Sequence, residues 1–547
     1  MFLLINCLIA STLAATCSSS QTNCADGKCE MISTTEICTQ CVTGHVPVNG
    51  KCVAKASATN CKTTDGSAAG DQTCGKCEGT TFMYKGGCYD KEAAPGNLIC
   101  KTAGSTAGIC QDCQAGYFKN PANADTSDSC ILCNDTTGVT IGADSTAKTY
   151  KGVDGCKTCD APTAISEATG TKAATCTECN ANLYLKTVTG SSTETSCVTA
   201  EDCKTGYFPN DNVDNKKKCI LCNTVANGGI TNCGECSLLP STAEGSTVLI
   251  TCTKCSTNSL SPLKDACLTS CPAGTYETGS PNKVCTACHT SCAGCKDDNT
   301  AASCTACYPG SVLSYGSDTT KGTCIAECTG KYLENCADGQ CTAVLGGSKY
   351  CSKCKSGYVP VDGICVLAET ARAAPAGCTP SNTDGVCTAC TGKYFLESGG
   401  CYQAEKFPGN TLCTTTDSNG KCTGCANGQT ADSGTGSCPA CPTNCASCTG
   451  TSSKTCTKCF SGYYLDSANA CKKCSETSGT ITGVENCISC EKPSNGNGAV
   501  TCYVKTSGGG SSDNSTGGGP NLSSGAIAGI SVAVIVVVGG LVGFLCW

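Results

Sequence analysis

The chain has 547 residues, of which 62 are cysteines, and it carries a net charge of −7 from a small number of charged side chains. This cysteine content marks a disulfide scaffold and excludes an ordinary cytosolic protein, while 5% aromatic residues exclude one large aromatic core. Cross-links must therefore take over the stabilising role of core burial. Arg372 is the only arginine, so the bidentate phosphate contacts of a nucleic-acid binder are missing and no nucleic-acid partner is expected.

The first segment, MFLLINCLIASTLAATCSSS, has the features of a secretory signal peptide. An apolar run from Phe2 to Ala10 is followed by small residues, and Leu13-Ala14-Ala15 fits a signal-peptidase site. We predict that residues 1–15 are a signal peptide and that the following residues enter the secretory pathway.

Sixty cysteines lie between Cys17 and Cys502, because Cys7 belongs to the predicted signal and Cys546 to an apolar C-terminal stretch. The even number allows every thiol to be paired, as an oxidising compartment favours. Twenty C-x-x-C pairs account for most of these cysteines. In a secreted chain this spacing is typical of disulfide modules, whereas in a cytosolic chain it would indicate zinc sites. The sequence leaves the pairing of the cysteines open.

A long internal duplication runs through the chain. NCADGKC at residues 23–29 returns as NCADGQC at residues 335–341. YKGGCYDKEAAPGNLIC, which ends at Cys100, returns as ESGGCYQAEKFPGNTLC, which ends at Cys413. The repeat is preserved chiefly in cysteines, glycines and prolines, so we infer that a fold is repeated.

A shorter echo lies between the two copies, where AGYFKN and CILCN, ending at Asn134, recur as TGYFPN and CILCN, ending at Asn223. Frequent Gly, Asn, Asp and Ser between short β-prone pieces predict hairpins and turns. The fold class is therefore predicted to be small and disulfide-rich, with mostly short β-hairpins and loops in an elongated array of modules plus one C-terminal transmembrane helix.

The C-terminal part predicts a tether and a membrane span. After Cys502 the cysteines stop and a Gly/Ser-rich linker begins. The uncharged stretch that follows is about 30 Å long as a helix, which is enough to cross a bilayer. The predicted segments are residues 1–15, signal peptide; 16–133, cysteine-rich module, copy 1; 134–334, cysteine-rich middle region with a furin-like unit at 285–307; 335–441, copy 2; 438–502, furin-like membrane-proximal unit; 503–525, linker; and 526–547, transmembrane helix.

The stretch CTACHTSCAGC, residues 285–295, begins with C-x-x-C-H, the spacing of haem attachment in c-type cytochromes. His289 and His45 are the two histidines of the chain. In a second unit, CPACPTNCASC, Pro442 takes the place of His289, and across the duplication Tyr358 takes the place of His45. Because neither counterpart can bind a metal through a ring nitrogen, we predict no haem site and no metal site. We predict no catalytic residue, because no G-x-S-x-G motif with plausible partners occurs and two interchangeable histidines leave little for a catalytic triad.

The C-x-x-C density, the GGCY tetrads at residues 86–89 and 399–402, and the ending SSGAIAGISVAVIVVVGGLVGFLCW resemble the variant-specific surface proteins of Giardia. The units that begin at Cys285 and Cys438 are similar to furin-like modules of growth-factor receptors. The resemblance implies that the protein forms a dense, protease-resistant coat in which one variant is present at a time. It also implies that switching between variants evades host antibody, and for some family members it implies zinc binding. Family members carry a tail ending CRGKA after the span; the sequence given ends at Trp547, so acylation, sorting and signalling through that tail are not carried over.

We therefore expect a variant surface antigen that mediates antigenic variation and immune evasion, and not an enzyme. Two alternatives stay open: a constitutive cysteine-rich receptor or adhesin, and a zinc-binding surface protein. The expected location is the plasma membrane, as a single-pass type I protein with an extracellular ectodomain. The expected partners are the membrane, through the span, host antibodies and other copies of the chain in the coat; no cofactor is expected.

Three groups of residues are the candidate sites. The disulfide candidates are Cys38, Cys41, Cys74, Cys77, Cys88, Cys285, Cys288, Cys292, Cys295, Cys351, Cys354, Cys387, Cys390, Cys401, Cys438 and Cys441. The GGCY residues are Gly86, Gly87, Cys88, Tyr89, Gly399, Gly400, Cys401 and Tyr402. The candidate N-glycosylation sites are Asn134, Asn514 and Asn521.

Overall fold

The computed structural model describes residue 17 and residues 21–102, 106–240, 247–368, 377–381, 384–451 and 454–506. These residues form short strands and single turns of 3₁₀ helix, and they contain no α-helix. The predicted array of short, disulfide-rich β-hairpins is thus confirmed, while the elongated arrangement of the modules stays a prediction. The predicted signal peptide, the predicted span and most of the linker lie outside the described residues. Among the described residues, no helix is long and apolar enough to cross a membrane.

The strands are two to seven residues long, as expected when turn residues interrupt the chain every few positions. In the first part of the chain they are β1 (Cys29–Ile32), β2 (Thr35–Cys38), β3 (His45–Val48), β4 (Lys51–Ala54), β5 (Cys61–Lys62), β6 (Lys76–Cys77), β7 (Thr81–Tyr84), β8 (Gly87–Asp90), β9 (Cys100–Thr102), β10 (Asp112–Cys113), β11 (Tyr117–Lys119), β12 (Cys130–Leu132), β13 (Val139–Ile141), β14 (Lys148–Lys151), β15 (Cys156–Asp160), β16 (Gly170–Ala173), β17 (Thr175–Cys179), β18 (Tyr184–Thr189), β19 (Thr193–Val198), β20 (Tyr207–Val213), β21 (Lys216–Leu221), β22 (Cys233–Leu238), β23 (Ile250–Cys255), β24 (Ser259–Leu260) and β25 (Cys267–Leu268).

The remaining strands follow the same pattern. They are β26 (Thr275–Thr278), β27 (Val284–Ala287), β28 (Cys292–Cys295), β29 (Cys304–Cys307), β30 (Ser311–Tyr315), β31 (Gly322–Ala326), β32 (Ala343–Leu345), β33 (Ser348–Tyr350), β34 (Tyr358–Val361), β35 (Ile364–Leu367), β36 (Cys378–Pro380), β37 (Cys387–Cys390), β38 (Tyr394–Glu397), β39 (Gly400–Gln403), β40 (Cys413–Thr416), β41 (Cys422–Cys425), β42 (Cys445–Thr449), β43 (Thr455–Cys459), β44 (Tyr463–Leu465), β45 (Cys471–Lys473), β46 (Ile481–Thr482), β47 (Cys487–Glu491), β48 (Gly498–Ala499) and β49 (Thr501–Lys505). The 3₁₀ helices are Lys55–Ser57, Gly96–Leu98, Asp144–Thr146, Ala200–Asp202, Val225–Asn227, Ala301–Ser303, Gly330–Tyr332 and Gly409–Thr411.

The chain divides into two compact units, one made of residues 1–229 and 236–250 and the other of residues 230–235 and 251–547. Four-stranded sheets of the first unit have the orders β4-β3-β8-β7 and β19-β18-β21-β20. Those of the second unit have the orders β25-β24-β27-β26, β28-β29-β31-β30 and β35-β34-β39-β38. Most other strands of the described residues pair as two-stranded hairpins.

One sheet of each unit is the same structure built twice, at the place of the sequence duplication. In the first unit, β3 and β4 are joined by Asn49-Gly50, with φ values of 49° and 78°. In the second unit, β34 and β35 are joined by Asp362-Gly363, with φ values of 48° and 79°. Asn-Gly and Asp-Gly favour this two-residue turn because both positions need positive φ.

The apolar side chains form separate small clusters that contain many disulfides, and the described residues share no single core. In the first unit, Ile37, Phe82 and Tyr89 are completely buried together with the sulfurs of Cys110 and Cys130. In the second unit the corresponding cluster contains Tyr350, Phe395 and Tyr402 and extends to Tyr332. Small clusters of this kind need cross-links, because each buries little apolar area.

Contacts between residues distant in sequence close the second unit. The Ser489 hydroxyl donates a hydrogen bond to the Ala273 carbonyl at 2.5 Å, across 216 residues. The Tyr315 hydroxyl donates to the Phe407 carbonyl at 2.9 Å. Modules within this unit are therefore held to one another by direct contacts as well as by the chain.

A glycine in each copy is fixed by a close approach of backbone. A Cβ added to Gly96 would collide with the carbonyl oxygen of Asp90, and one added to Gly409 would collide with that of Gln403. We expect Gly96→Ala and Gly409→Ala each to lower the local free energy of unfolding by about 2–3 kcal/mol. Amide hydrogen exchange of β8 and β39 measures this loss.

Gly316→Ala is the matched control for these substitutions. Gly316 lacks positive φ, and a Cβ there meets no atom within 4 Å. We expect this variant to stay within about 0.5 kcal/mol of the parent. Equal effects of the three substitutions would show that the close approach does not occur.

Candidate functional site

Every cysteine from Cys17 to Cys502 forms a disulfide, and the bonded residues are only 7 to 26 positions apart in sequence. Their Cα atoms lie 5.1 to 6.0 Å apart, within the ordinary range for disulfides. The pairs are 17–29, 24–38, 41–52, 61–74, 77–88, 100–110, 113–130, 133–159, 156–176, 179–197, 203–219, 222–236, 233–252, 255–267, 271–285, 288–295, 292–304, 307–324, 328–341, 336–351, 354–365, 378–387, 390–401, 413–422, 425–438, 441–448, 445–456, 459–471, 474–490 and 487–502.

The two cysteines of a C-x-x-C pair always bond to different partners. Cys38 bonds backward to Cys24, and its neighbour Cys41 bonds forward to Cys52. The same holds for all twenty pairs, so no pair is itself a dithiol or an internal disulfide. A redox centre would need such a pair, and this arrangement provides none in the described residues.

The disulfide pattern repeats together with the sequence. Seven bonds of copy 1, from Cys17–Cys29 to Cys113–Cys130, have counterparts in copy 2, from Cys328–Cys341 to Cys425–Cys438. Spacings between the cysteines differ slightly, yet each bond joins the corresponding residues. The repeated fold is thus defined by how the cysteines pair.

The stretch CTACHTSCAGC is a set of three disulfides. Cys285 bonds to Cys271, and Cys288 and Cys295 bond to each other across seven residues. Cys292 bonds to Cys304. None of these sulfurs is free for a haem thioether or a metal, because each is bonded to another cysteine.

His289 is an exposed turn residue within that stretch. Its Nδ1 lies 2.8 Å from the hydroxyl of Ser291, and its carbonyl oxygen accepts a hydrogen bond from the Cys292 N–H at 2.9 Å. In the related stretch CPACPTNCASC, residues 438–448, the Pro442 carbonyl accepts the corresponding hydrogen bond from the Cys445 N–H at 3.1 Å. Because a proline carbonyl accepts the equivalent hydrogen bond, the turn depends on backbone geometry and not on the imidazole ring.

His45 lies in β3, far in sequence from the other histidine. Its carbonyl oxygen accepts the Gln72 N–H at 2.9 Å, and its Nδ1 is buried without a hydrogen-bond partner in the described residues. Tyr358 holds the corresponding place at the start of β34. The structure therefore places the two histidines in separate units.

Groups of three sulfurs lie within 4.8 Å of one another where two disulfides are neighbours, for example Cys61, Cys74 and Cys88. Such spacing would suit a metal only if the sulfurs were thiolates. Here Cys61 is bonded to Cys74, and Cys88 to Cys77. Metal binding at these groups would require reduction first.

The GGCY tetrads form the turn and first residues of β8 and β39. A Cβ on Gly87 would lie 3.0 Å from the Pro47 side chain and 3.1 Å from the Tyr89 ring, so the glycine lets the two strands pack closely. Gly400 has the same relation to Pro360 and Tyr402. The cysteine of each tetrad bonds to the second cysteine of a C-x-x-C pair, as Cys77–Cys88 and Cys390–Cys401.

The tyrosine of each tetrad is buried in an aromatic cluster. Tyr89 packs against Tyr84 with ring centroids 5.9 Å apart, and Tyr402 packs against Tyr350 at 6.2 Å. Tyr350 stands where copy 1 has Ile37, one residue before the corresponding cysteine. Phe82 and Phe395 hold the same position in the two copies and lie beside the tetrad tyrosine with ring centroids 6.1 and 6.3 Å away, while the second aromatic partner comes from a different position in each copy.

A partly buried polar cluster surrounds Lys85 in copy 1. The Lys85 N–H donates to the Asp128 carboxylate at 2.9 Å, and the Lys85 ammonium lies 3.2 Å from Asp135 and 3.7 Å from Glu30. Burial raises the pKa of Asp128 to about 6, partly offset by the Lys85 N–H and charge. Burial also acts to raise the pKa of Asp135, but the Gly138 N–H and Lys85 together hold it below its usual value. Copy 2 has Ser398 in place of Lys85.

Sequence reasoning missed the partners of these side chains. The Lys85 cluster joins residues 43 to 55 positions apart, and the lysine occupies a turn position that looks solvated in the sequence. The two copies offered one signal, namely that the turn residue before GGCY changes from lysine to serine. The disulfide partners of the C-x-x-C cysteines also could not be deduced from the spacing of the cysteines.

Together these features define a cross-linked scaffold protein: hairpins held by short disulfides, with no group of catalytic side chains in the described residues. The family model described as Giardia variant-specific surface protein matches residues 189–422 and 413–547. The chain belongs to this family. The family is one of surface antigens, and the protein is not an enzyme.

Individual relatives agree with this assignment. The major surface-labeled trophozoite antigen 417 of Giardia intestinalis is 31% identical, with 95% of this chain and 96% of the relative aligned. The variant-specific surface protein VSP4A1 of the same organism is 29% identical, over 96% and 95% of the two chains. The Giardia surface antigen CRP170 is 28% identical over 55% of this chain and 95% of its own length. No solved structure matches the chain.

Buried tyrosine hydroxyls differ in whether they have a partner. The Tyr332 hydroxyl donates to the Leu313 carbonyl at 2.5 Å, whereas the Tyr402 hydroxyl is buried without a partner in the described residues. We expect Tyr332→Phe to lower the free energy of unfolding by about 1 kcal/mol and Tyr402→Phe to raise it by a similar amount. Denaturant unfolding of the oxidised protein measures both, and a larger loss for Tyr402→Phe would contradict the geometry.

The raised pKa of Asp128 predicts a pH dependence of local stability. Because the folded protein holds the proton more tightly than the unfolded chain, the free energy of unfolding around β7 and β12 should rise as the pH falls through about 6. The rise ends near the usual pKa of an aspartate, where the unfolded chain is protonated too. Hydrogen exchange at several pH values measures this rise.

Asp128→Asn is the control for the pH experiment, since the amide oxygen can still accept the Lys85 N–H. This variant should be at least as stable as the parent at neutral pH and should show a flatter profile above pH 4. A parent profile that falls between neutral pH and about 5 would contradict the assignment.

Proposed function

We propose that this chain is a variant surface antigen that forms a protease-resistant protective coat and, by being exchanged for other variants, lets the cell escape host antibody. The observation that carries the proposal is the closure of every cysteine from Cys17 to Cys502 into a short disulfide loop. Family membership supports the surface location.

The proposed topology is single-pass type I at the plasma membrane, with the disulfide-rich part outside the cell. The sequence features that support it are the apolar start at residues 1–15 and the uncharged stretch at residues 526–547. The disulfides agree with it, because they form and persist in the secretory pathway and outside the cell.

Protease resistance follows from loop closure. A protease must pull a stretch of chain into its active site, which requires local unfolding. A disulfide that closes a loop of about 15 residues stabilises the folded chain by roughly 3 kcal/mol in the chain-entropy model. Some neighbouring loops also overlap, such as Cys133–Cys159 with Cys156–Cys176, so the opening of one such loop is resisted by the other as well.

Sequence variation is tolerated for the same reason. Corresponding turn positions of this one chain hold His289 and Pro442, or Lys85 and Ser398, within matching disulfides. These turn positions can therefore hold chemically different side chains while the scaffold is kept. A family of antigens needs this combination, since antibodies bind exposed side chains and the coat must still fold.

Trypsin should leave the oxidised protein largely intact, although the chain has 37 lysine and arginine residues, and should degrade it after reduction. Electrophoresis of timed digests with and without reductant measures the difference. Equal digestion rates in the two states would contradict the proposed role of the disulfides.

Two double variants sharpen this experiment. The Cys133–Cys159 loop contains Lys148, Lys151 and Lys157, whereas the Cys288–Cys295 loop contains no lysine or arginine. Replacing both cysteines of the first pair by alanine should expose the three lysines to cleavage. The same change in the second pair should add no cleavage site within its loop.

Clonal surface staining tests the antigenic role. We expect an antibody against this chain to stain some cells of a population strongly and others not at all, with other variants present on the unstained cells. Steady staining of every cell would instead favour a constitutive receptor or adhesin. Zinc near stoichiometry together with many free thiols would favour the zinc-binding alternative.

A further inference from the structure

We propose that Asn134 is an N-glycosylation site and that it carries its glycan on a rigid, exposed turn of the folded protein. Asn134, Asp135 and Thr136 form the sequence motif N-x-T that the glycosyl transferase of the secretory pathway requires. The other two motifs of the chain, at Asn514 and Asn521, lie outside the described residues.

The geometry leaves the Asn134 side chain free. Asn134 lies two residues after the end of β12, is exposed to solvent, and makes no side-chain hydrogen bond within the described residues. Thr136 is exposed as well. A sugar attached to the Asn134 amide would therefore extend into solvent without displacing a protein contact.

The residues on both sides are fixed by the backbone. The Cys133 N–H donates to Gly116 at 2.9 Å, and its carbonyl accepts the Val153 N–H at 2.8 Å. The Asp135 N–H donates to Leu132 at 3.0 Å. Asn134 is thus held between two anchored residues, so a glycan changes neither the turn nor the disulfide of Cys133.

The middle residue of the motif is engaged elsewhere. The Asp135 carboxylate accepts the N–H groups of Thr137 and Gly138 at 3.0 Å and pairs with Lys85 at 3.2 Å. Its charge is therefore bound within the turn and away from the free amide of Asn134. The turn stays formed whether or not the amide is modified.

The transfer uses a lipid-linked oligosaccharide as co-reactant. The Asn134 amide nitrogen bonds to the first carbon of the leading sugar, and the bond from that carbon to the lipid pyrophosphate breaks. The lipid pyrophosphate leaves with the bonding electrons, and the amide gives up one proton to a base of the transferase. No oxidation or reduction takes place.

The echo of CILCN supplies a matched position within the same chain. Asn223 also lies two residues after the end of its strand, β21, and is exposed. On either side of it, the Cys222 N–H donates to the Gly206 carbonyl at 2.8 Å and the Thr224 N–H donates to the Leu221 carbonyl at 2.9 Å. Val225 in place of a threonine is what prevents a sequence motif there. Val225 is 56% exposed, so Val225→Thr completes the motif at little structural cost.

Peptide mapping of the protein from the cells that naturally express it tests the proposal. After reduction, alkylation and trypsin, residues 120–148 form one peptide in which Asn134 has the only N-x-T motif. We expect most of this peptide to carry hexosamine-containing mass that a peptide N-glycosidase removes, leaving aspartate at the site. Asn134→Gln and Thr136→Val should each abolish the added mass without changing the number of disulfides.

Val225→Thr should add the same kind of mass to the peptide of residues 219–254, which the parent lacks. An unmodified parent peptide 120–148 would overturn the proposal, and so would modification confined to Asn514 or Asn521. Modification at Asn223 of the variant while Asn134 stays bare would overturn it as well. These outcomes do not depend on antigen switching, which clonal staining tests separately.

Discussion

The structure depends on one constraint: the two cysteines of each C-x-x-C pair bond in different directions along the chain. Cys38 reaches back to Cys24 while Cys41 reaches forward to Cys52, so each pair ends one loop and takes part in the next. Hairpins too short to be stable alone are thereby held in a continuous series of short disulfide loops. The small cores, the turns and the exposed surface all rest on this arrangement.

The duplicated sheet shows that the disulfide scaffold tolerates different side-chain packing. Tyr89 and Tyr402 have the same place beside matching disulfides and each packs on a matching phenylalanine, yet the second ring contact is Tyr84 for one and Tyr350 for the other. The polar cluster around Lys85 occurs in one copy alone. Because the cross-links fix the backbone, the packing around them is free to differ. An antigen that must vary while keeping its fold requires this property.

Much of the fold could be predicted from the sequence. The frequent Gly, Asn, Asp and Ser between short β-prone pieces indicated hairpins, and the return of NCADGKC as NCADGQC at residues 335–341 indicated a repeated module. The pairing of 60 cysteines could not be predicted, because spacing permits many partners for each. Contacts such as Ser489 with Ala273 depend on how modules pack, which local propensity does not encode.

The local motifs of the candidate site could be predicted from the sequence, but the contacts of their side chains could not. The sequence identified the GGCY tetrads and the motif at Asn134, since both are local patterns. It did not show that the tetrad tyrosines are buried with unpartnered hydroxyls, or that Asp135 is bound to Lys85. These features arise from residues brought together by the disulfides.

Disulfide mapping of the non-reduced protein by mass spectrometry tests the central claim most directly. Residues 285–295 and 438–448 are the most informative stretches, since four cysteines lie within eleven residues in each. The account predicts peptides joined through Cys288–Cys295 and Cys292–Cys304, and in the second stretch through Cys441–Cys448 and Cys445–Cys456. Bonds within a C-x-x-C pair, or free thiols at these positions, would contradict it.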